Sequence, residues 1–447
     1  MKSYVPNTVH ERQEMLQSIG LKTMDDLYAD VPQTMKLSAP LQLPAGKSEQ
    51  EVRRIFQSLL KNTCVSMPIF RGAGAYNHYI PSVVPQLASR NELYTAYTPY
   101  QTEMSQGMLQ AIFEYQSLIC ELTGMDAANA SVYDGAHACS ETMVAMKFAK
   151  RKDKVLYSAA LHPDYIATLK TYARFLRIEL VEVPLLGDGR TDIGQIAALG
   201  ADAAGMLAAS PNFYGVLEDM AGLSEAVHGF GGLFGAVVNP LSLGAVKRPS
   251  EYGADFALGD AQPLGMPLNF GGPYLGFVTT HTKLVRNLSG RIVGQTTDDE
   301  GNRVYCLTLS AREQHIRREK ASSNICSNQC LCVLMSSIYM ATMGPAGMAE
   351  VAEQNLQKAH YLAQAIAALP NAKLRYADTP FFNEFVVDTG KNAAAVNEGL
   401  KQRGIMGGLP LSRFDATDTK GMLWCATEMN TREEMDAAVA ALKEVLA

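Results

Sequence analysis

Charge is scarce in this chain and almost evenly split. Asp, Glu, Lys and Arg make up 19% of its 447 residues, and 39 basic against 45 acidic groups leave a formal net charge of −6. That balance favours solubility and argues against nucleic acid or an anionic membrane as a partner. Long apolar runs are also missing. The most apolar helical stretch, Cys330 to Met343, covers 14 residues and carries two serines and a threonine. It is too short to cross a bilayer and reads as a buried helix. The opening Met1-Lys2-Ser3-Tyr4-Val5-Pro6 turns polar at once and offers no apolar signal core. Eight cysteines lie scattered, without the arrangement of a disulfide framework. Their usage points to a reducing compartment, the cytoplasm.

What is present suits a folded enzyme. A 47% hydrophobic fraction excludes general disorder, and the length exceeds one compact core, suiting two domains plus an extension. Residues 1–110 read as a helical N-terminal extension wrapping something larger. Thr8-x-x-Glu11 and Ser48-x-x-Glu51 are capping-box patterns ahead of apolar sets that include Leu16 and Ile55. Residues 111–330 alternate short apolar runs with helical stretches. Strands are predicted near Val155–Tyr157, Glu179–Val183, Ala204–Ala209 and Leu233–Val238, with helices at about Pro163–Arg177, Ile193–Leu199 and Leu223–His228. This rhythm predicts a largely parallel sheet covered on both faces, with ligands at the carboxyl ends of its strands. Residues 331–447 read as a long helix after Gly344-Pro345, Met348 to about Leu369, and a small α+β domain. That domain has strands at Lys373–Tyr376, Glu384–Asp388 and Met422–Thr427 and helices at Ala393–Arg403 and Arg432–Leu446.

Architecture of this kind serves many enzymes; four motifs are sharper. Met67-Pro-Ile-Phe-Arg-Gly-Ala-Gly-Ala-Tyr-Asn-His78, Tyr94-Thr-Ala-Tyr-Thr-Pro-Tyr-Gln-Thr-Glu-Met-Ser-Gln-Gly107, Asp134-Gly-Ala-His-Ala138 and Ile316-Arg-Arg-Glu-Lys-Ala-Ser-Ser-Asn-Ile-Cys326 closely resemble the glycine decarboxylase P-protein family. The likeness is to its N-terminal half, which in some bacteria is a separate alpha subunit. It covers nearly the whole chain, in the family's order. The resemblance implies an α/β fold of the fold type I pyridoxal-phosphate (PLP) transferase kind, with a mostly parallel, seven-stranded-type sheet between helices.

Such enzymes need a lysine for the Schiff base, a carboxylate that keeps the pyridine nitrogen protonated, and a small-residue turn at a helix N-terminus for the phosphate. Laid on the family pattern, with Gly271-Gly272-Pro273 fixing the register, Asn239 stands where the carboxylate belongs and Gln262 where the lysine belongs. Neither amide can do the work. Gly135, Ala136 and His137 form a degenerate phosphate turn, and Asp134 or Ser140 as a plain helix cap is the bland alternative. Lys247 and Lys283 are the nearest substitute lysines, both in loop-like settings.

Three tyrosines and two threonines around Pro99 make a loop rich in hydroxyl donors. Tyr94, Thr98, Tyr100 and Gln101 are therefore candidates for a cleft completed in the partner, or for interface packing. Asn77 and His78 are weaker candidates of the same kind. Ser210-Pro-Asn-Phe-Tyr-Gly215 sits where the family lines its cleft, although its composition also suits an ordinary turn. Arg312, His315, Arg317 and Arg318 form a basic cluster that reads either as a solvated face or as interface and carrier contacts. Cys326, Cys330 and Cys332 do not have metal-site spacing, and Gly72-Ala-Gly-Ala is not a nucleotide fingerprint.

The resemblance thus implies the non-Schiff-base alpha subunit of a heteromeric glycine dehydrogenase. A beta subunit would carry the PLP, glycine would be decarboxylated, and the aminomethyl group would pass to the lipoyl arm of H-protein. The alternatives are an autonomous PLP-dependent transferase and a non-catalytic scaffold.

Overall fold

The computed structural model describes residues 7–61, 63, 67–325 and 328–447. Contacts divide the chain into two compact units, Met1–Val65 and Ser66–Ala447.

In the first unit Thr8 and Ser48 both accept from the backbone of a glutamate three residues on, which returns the bond, and so start the helices Val9–Ser18 and Glu49–Leu60. Of these helix residues only Leu16 is buried; the second helix buries none. Its apolar stripe of Val52, Ile55, Phe56, Leu59 and Leu60 lies exposed.

The second unit takes in residues 67–110, which the sequence reading had joined to the extension. Ile69 bridges Met406, and Phe70 exchanges backbone bonds with Met406 and Cys425 at 2.8 and 3.0 Å. The Phe70 ring is fully buried, 6.0 Å from that of Trp424.

The main sheet has seven strands: β1 (Ala127–Ala128), β2 (Lys154–Ser158), β3 (Glu179–Val183), β4 (Ala203–Ala209), β5 (Leu233–Val238), β6 (Phe256–Asp260) and β7 (Gly276–Thr280), in the order β1-β7-β6-β5-β4-β2-β3. From β3 to β6 every pairing is parallel. β7 runs antiparallel to β6, because the intervening loop carries no crossover helix, which a parallel pair would need. Every residue of β4 and β5 is buried, as befits strands with helices on both faces. Side chains alternate between two cores. Tyr157 and Leu207 face the helices Gly135–Lys150 and Pro163–Leu176, while Leu156 and Met206 face Gln106–Thr123 and Met220–Gly229. A hairpin of β8 (Ile292–Thr297) and β9 (Arg303–Thr308) is tied to this body by Gln106, whose amide bonds the Tyr305 backbone in both directions at 2.9 and 2.8 Å.

The C-terminal module is an antiparallel sheet of β10 (Ala372–Leu374), β11 (Glu384–Thr389), β13 (Gly421–Cys425) and β12 (Leu409–Pro410), in that order, packed against the helices Ala393–Lys401 and Arg432–Leu446. It follows a helical stretch, Cys330–Ala367, that breaks at Gly344 with φ 60 and ψ 179 just before Pro345. Only glycine adopts that backbone readily, and proline cannot donate to the preceding turn. The apolar first half is core, with Val333 and Tyr339 fully buried.

Candidate functional site

Strands β2, β4, β5 and β6 end on one cleft, whose lining includes His162, Asn212, Asn239, Asp260 and, from the small sheet, Glu384. β2 delivers His162, which starts the Pro163–Leu176 helix by accepting from the Asp164 N–H at 3.1 Å. Its other ring nitrogen sits 2.9 Å from the Ala73 carbonyl, and the ring lies among Tyr165, Phe213 and Phe414. Burial pushes its pKa below the usual range, against the Ala73 bond.

Asn239 ends β5. Its carbonyl oxygen caps a short turn by accepting from the Leu241 N–H at 3.0 Å, while its buried amide nitrogen has no hydrogen-bond partner among the described residues. Gln262 follows β6 and is wholly buried. Its carbonyl oxygen accepts from the Tyr76 N–H at 2.9 Å, and its amide nitrogen donates to the Tyr76 carbonyl at 2.9 Å and to the Met266 carbonyl at 2.8 Å. An amide both accepts and donates, as this pairing requires; an ammonium only donates.

The degenerate phosphate turn is already served by carboxylates. Asp134 accepts from the His137 N–H at 2.7 Å, and Asp260 accepts from the Gly135 N–H at 3.1 Å. Burial lifts the Asp260 pKa to about 6, despite its backbone bonds to Gln262 and Gly135. A side chain on Gly135 would run into the Tyr165 hydroxyl. His137 turns away, stacking on Tyr133 at 4.6 Å and meeting Glu141 at 3.1 Å, and the Ala136 carbonyl accepts from the Ser140 hydroxyl at 3.2 Å.

Glu384 closes the cleft from the other bank. One carboxyl oxygen accepts from the Ala73 N–H at 2.6 Å and the other from the Tyr76 hydroxyl at 2.8 Å. Burial raises its pKa to about 7, opposed by those two bonds. The space left is about 70 Å³, well short of the roughly 300 Å³ at which small-molecule pockets begin. No lysine lines it. Lys247 borders a different cavity, beside Glu218 and Tyr252, and Lys283 pairs with Asp255 at 3.3 Å. The residues present do not fit PLP. The lining side chains offer no amine among the described residues, the anion turn carries two carboxylates, and the volume is taken.

Of the other sequence candidates, the Ser210–Gly215 turn does line this cleft through Pro211, Asn212 and Phe213, whereas the remaining ones lie apart from it. Tyr94, Tyr97 and Tyr100 are 61%, 75% and 56% exposed, so the loop presents its aromatic rings to solvent. Thr98 is buried, and its hydroxyl has no partner among the described residues, while the Arg291 guanidinium lies 4.9 Å from the Tyr100 ring. Gln101 is exposed. Asn77 and His78 serve the fold: the Asn77 carbonyl accepts from the Thr427 hydroxyl at 2.7 Å, and His78 meets Glu428 at 2.8 Å. Burial works against the Glu428 ion, but His78, the Tyr79 N–H and Asn355 outweigh it and hold its pKa below the usual value.

The basic cluster separates. Arg312 is spent on the carbonyls of Leu288, Gly290 and Leu309, whereas His315, Arg317 and Arg318 face solvent. Cys330 and Cys332 are buried, and Cys326 lies outside the described residues. Sequence reasoning missed Tyr76, His162, Asp260 and Glu384. Only His162-Pro163, directly after a strand, carried a local signal.

A parallel-centred sheet between helices, followed by a small α+β module, defines the PLP fold type I class. Lactobacillus brevis glutamate decarboxylase shares this fold, with a TM-score of 0.68 at 13% identity over 92% of this chain and 95% of its own. The chain belongs to the glycine cleavage system P-protein family, whose profile matches residues 2–442. It is 51% identical to the "Probable glycine dehydrogenase (decarboxylating) subunit 1" of Moorella thermoacetica over 447 residues, all of both chains. A crystal structure of glycine decarboxylase (P-protein) of the glycine cleavage system, in inhibitor-bound form, superposes with a TM-score of 0.90 at 42% identity, covering 99% of this chain and all of that one.

Proposed function

We propose that this chain is the alpha subunit of a two-subunit glycine dehydrogenase (decarboxylating), working in the cytoplasm beside a beta subunit that holds the PLP. The observation that carries this reading is Gln262, a buried amide committed to the Tyr76 backbone, at the position that register against the family gives to the Schiff-base lysine. PLP, when bound to the partner, would supply the electron sink for loss of CO2 from glycine. This chain would supply surfaces. The loop Tyr94–Gln101 offers exposed tyrosines and a buried Thr98 hydroxyl without a partner among the described residues, the composition of a recognition patch. The uncovered stripe of Glu49–Leu60 is a second apolar surface suited to a partner. His315, Arg317 and Arg318 project outward, where they could attract an acidic lipoyl H-protein.

The test is co-expression. Glycine-dependent CO2 release with lipoyl H-protein is expected from the paired subunits and from neither alone. Turnover by this chain alone, or a borohydride-stable pyridoxyl label on it, would overturn the assignment.

A further inference from the structure

The chain's own segment Gly72–Tyr76 lies across the cleft that this fold uses for its cofactor, and it is fastened from both banks. On the large-sheet side Gln262 takes the Tyr76 N–H and carbonyl, both at 2.9 Å, and His162 sits 2.9 Å from the Ala73 carbonyl. On the small-sheet side Glu384 takes the Ala73 N–H at 2.6 Å and the Tyr76 hydroxyl at 2.8 Å. Side chains 186 and 308 residues away thus meet the same residue, Tyr76. Backbone groups in a partly buried place need partners, and here His162 and Glu384 line the cleft while Gln262 lies between the lining residues Asp260 and Pro263; none is a neighbour in the loop. What remains is about 70 Å³, room for a few waters.

We propose that Gly72–Tyr76 is a built-in plug: it occupies this chain's own cofactor-type cleft, so that the cleft refuses PLP even when Asn239 and Gln262 are replaced by the residues the chemistry requires. This deepens the reading above, in which the cofactor belongs to the partner. Two independent losses then keep the subunit from competing for cofactor, one chemical and one steric. Reversing the chemical loss alone would not restore the site.

Hydrogen exchange on the unmodified full chain, free and in complex with its partner, reads the plug directly. The Ala73 and Tyr76 amides, which donate to Glu384 and Gln262, should exchange at least about a hundredfold more slowly than open-loop amides. Exchange at open-loop rates would overturn the proposal while leaving the subunit assignment intact, since that assignment fails on turnover by this chain alone or on a pyridoxyl label in the unmodified chain.

Pyridoxal phosphate with borohydride is the second probe. The pair Asn239→Asp and Gln262→Lys loosens the plug at Tyr76 but leaves its Glu384 and His162 ties in place, and should take up little label at residue 262. Adding Tyr76→Ala and Glu384→Ala should raise labelling about tenfold or more, the equivalent of some 1.4 kcal/mol of relieved occlusion. Full labelling of the first variant overturns the plug, as does unchanged labelling of the second when its circular dichroism is native. Should the second variant fail to fold, the exchange result decides.

Discussion

Asp260 and Gly135 stand 125 residues apart in the chain, yet the Gly135 N–H donates to the Asp260 carboxylate at 3.1 Å. The positive end of the Gly135–Lys150 helix has therefore found its anion within the protein. An outside phosphate would have to displace it and then sit beside Asp134.

Millimolar phosphate should accordingly leave the urea midpoint of the isolated chain unchanged. Any anion that bound only the folded state would raise it with concentration. A dose-dependent rise with phosphate, absent with chloride at equal ionic strength, would show the turn to be open after all.

Replacing Gln262 should cost stability out of proportion to its size. Gln262→Met keeps the volume but strands the Tyr76 N–H and carbonyl, an expected loss of about 2–4 kcal/mol. Gln262→Lys should fare no better, because an ammonium cannot accept from the Tyr76 N–H. Equilibrium urea unfolding of both variants measures this, and a loss below about 1 kcal/mol would mean the pairing contributes little.

Glu384→Gln should change how stability varies with pH. Burial holds the Glu384 pKa near about 7 in the folded chain, so the folded state keeps a proton that the unfolded chain releases above its ordinary carboxylate pKa. Its contribution to stability therefore falls as pH rises from about 4.5 to about 7 and then levels, by up to about 3 kcal/mol. Glutamine can still accept from Ala73 and reach the Tyr76 hydroxyl, without titrating. The variant should gain on the wild type across that window and hold its advantage above it. A difference that stays flat with pH would rule out the buried, proton-bound carboxyl.

Thr98 separates folding from assembly. Its hydroxyl is buried without a partner among the described residues, so Thr98→Val should leave the isolated chain as stable as before, or slightly more so. If the hydroxyl meets a group on the other subunit, the same change should weaken association by about 1 kcal/mol, roughly fivefold in Kd. Tyr94→Phe and Tyr100→Phe should likewise spare folding, and their effect on turnover in the complex reads their place in the reaction. Unaltered affinity and turnover in all three would leave the loop as packing alone.

The basic cluster should divide in the same experiment-by-experiment way. Arg312→Ala strips three carbonyls of their donor and should cost about 2–3 kcal/mol of folding stability. Arg317→Ala and Arg318→Ala should stay within about 0.5 kcal/mol, while the salt dependence of H-protein association becomes shallower. The opposite assignment of effects would mean that the two halves of the cluster have exchanged roles.

The regular skeleton was legible where the pattern is local. β3 and β5 fall on the runs read from the sequence, the last helix spans Arg432–Leu446 as its apolar spacing indicates, and the helix break falls at Gly344-Pro345. β6 and β7 escaped notice because Phe256–Asp260 and Gly276–Thr280 are short and contain or border glycine, which weakens any strand signal. At the site, register against the family singles out Asn239 and Gln262, and the structure sets them just after β5 and β6. What they bond to was not legible. Tyr76 and Glu384 are separated by 308 residues, and no periodicity, cap or turn rule connects residues that meet only after the small module has docked. Arg312 was misleading for a related reason: composition shows charge, while three backbone carbonyls brought close by the hairpin decide where that charge points.

Gly344 and Pro345 also aim the C-terminal part of the body. Were residues 344 and 345 both ordinary helix formers, Cys330–Ala367 would continue as one straight rod of about 57 Å, and β11 would be carried off its present bearing. Glu384, the first residue of β11, would then swing out of reach of Ala73 and Tyr76. The corner at Gly344 is in that sense the hinge pin of a door shut during folding, and a bulky residue placed there would be felt first at a carboxylate 40 positions downstream.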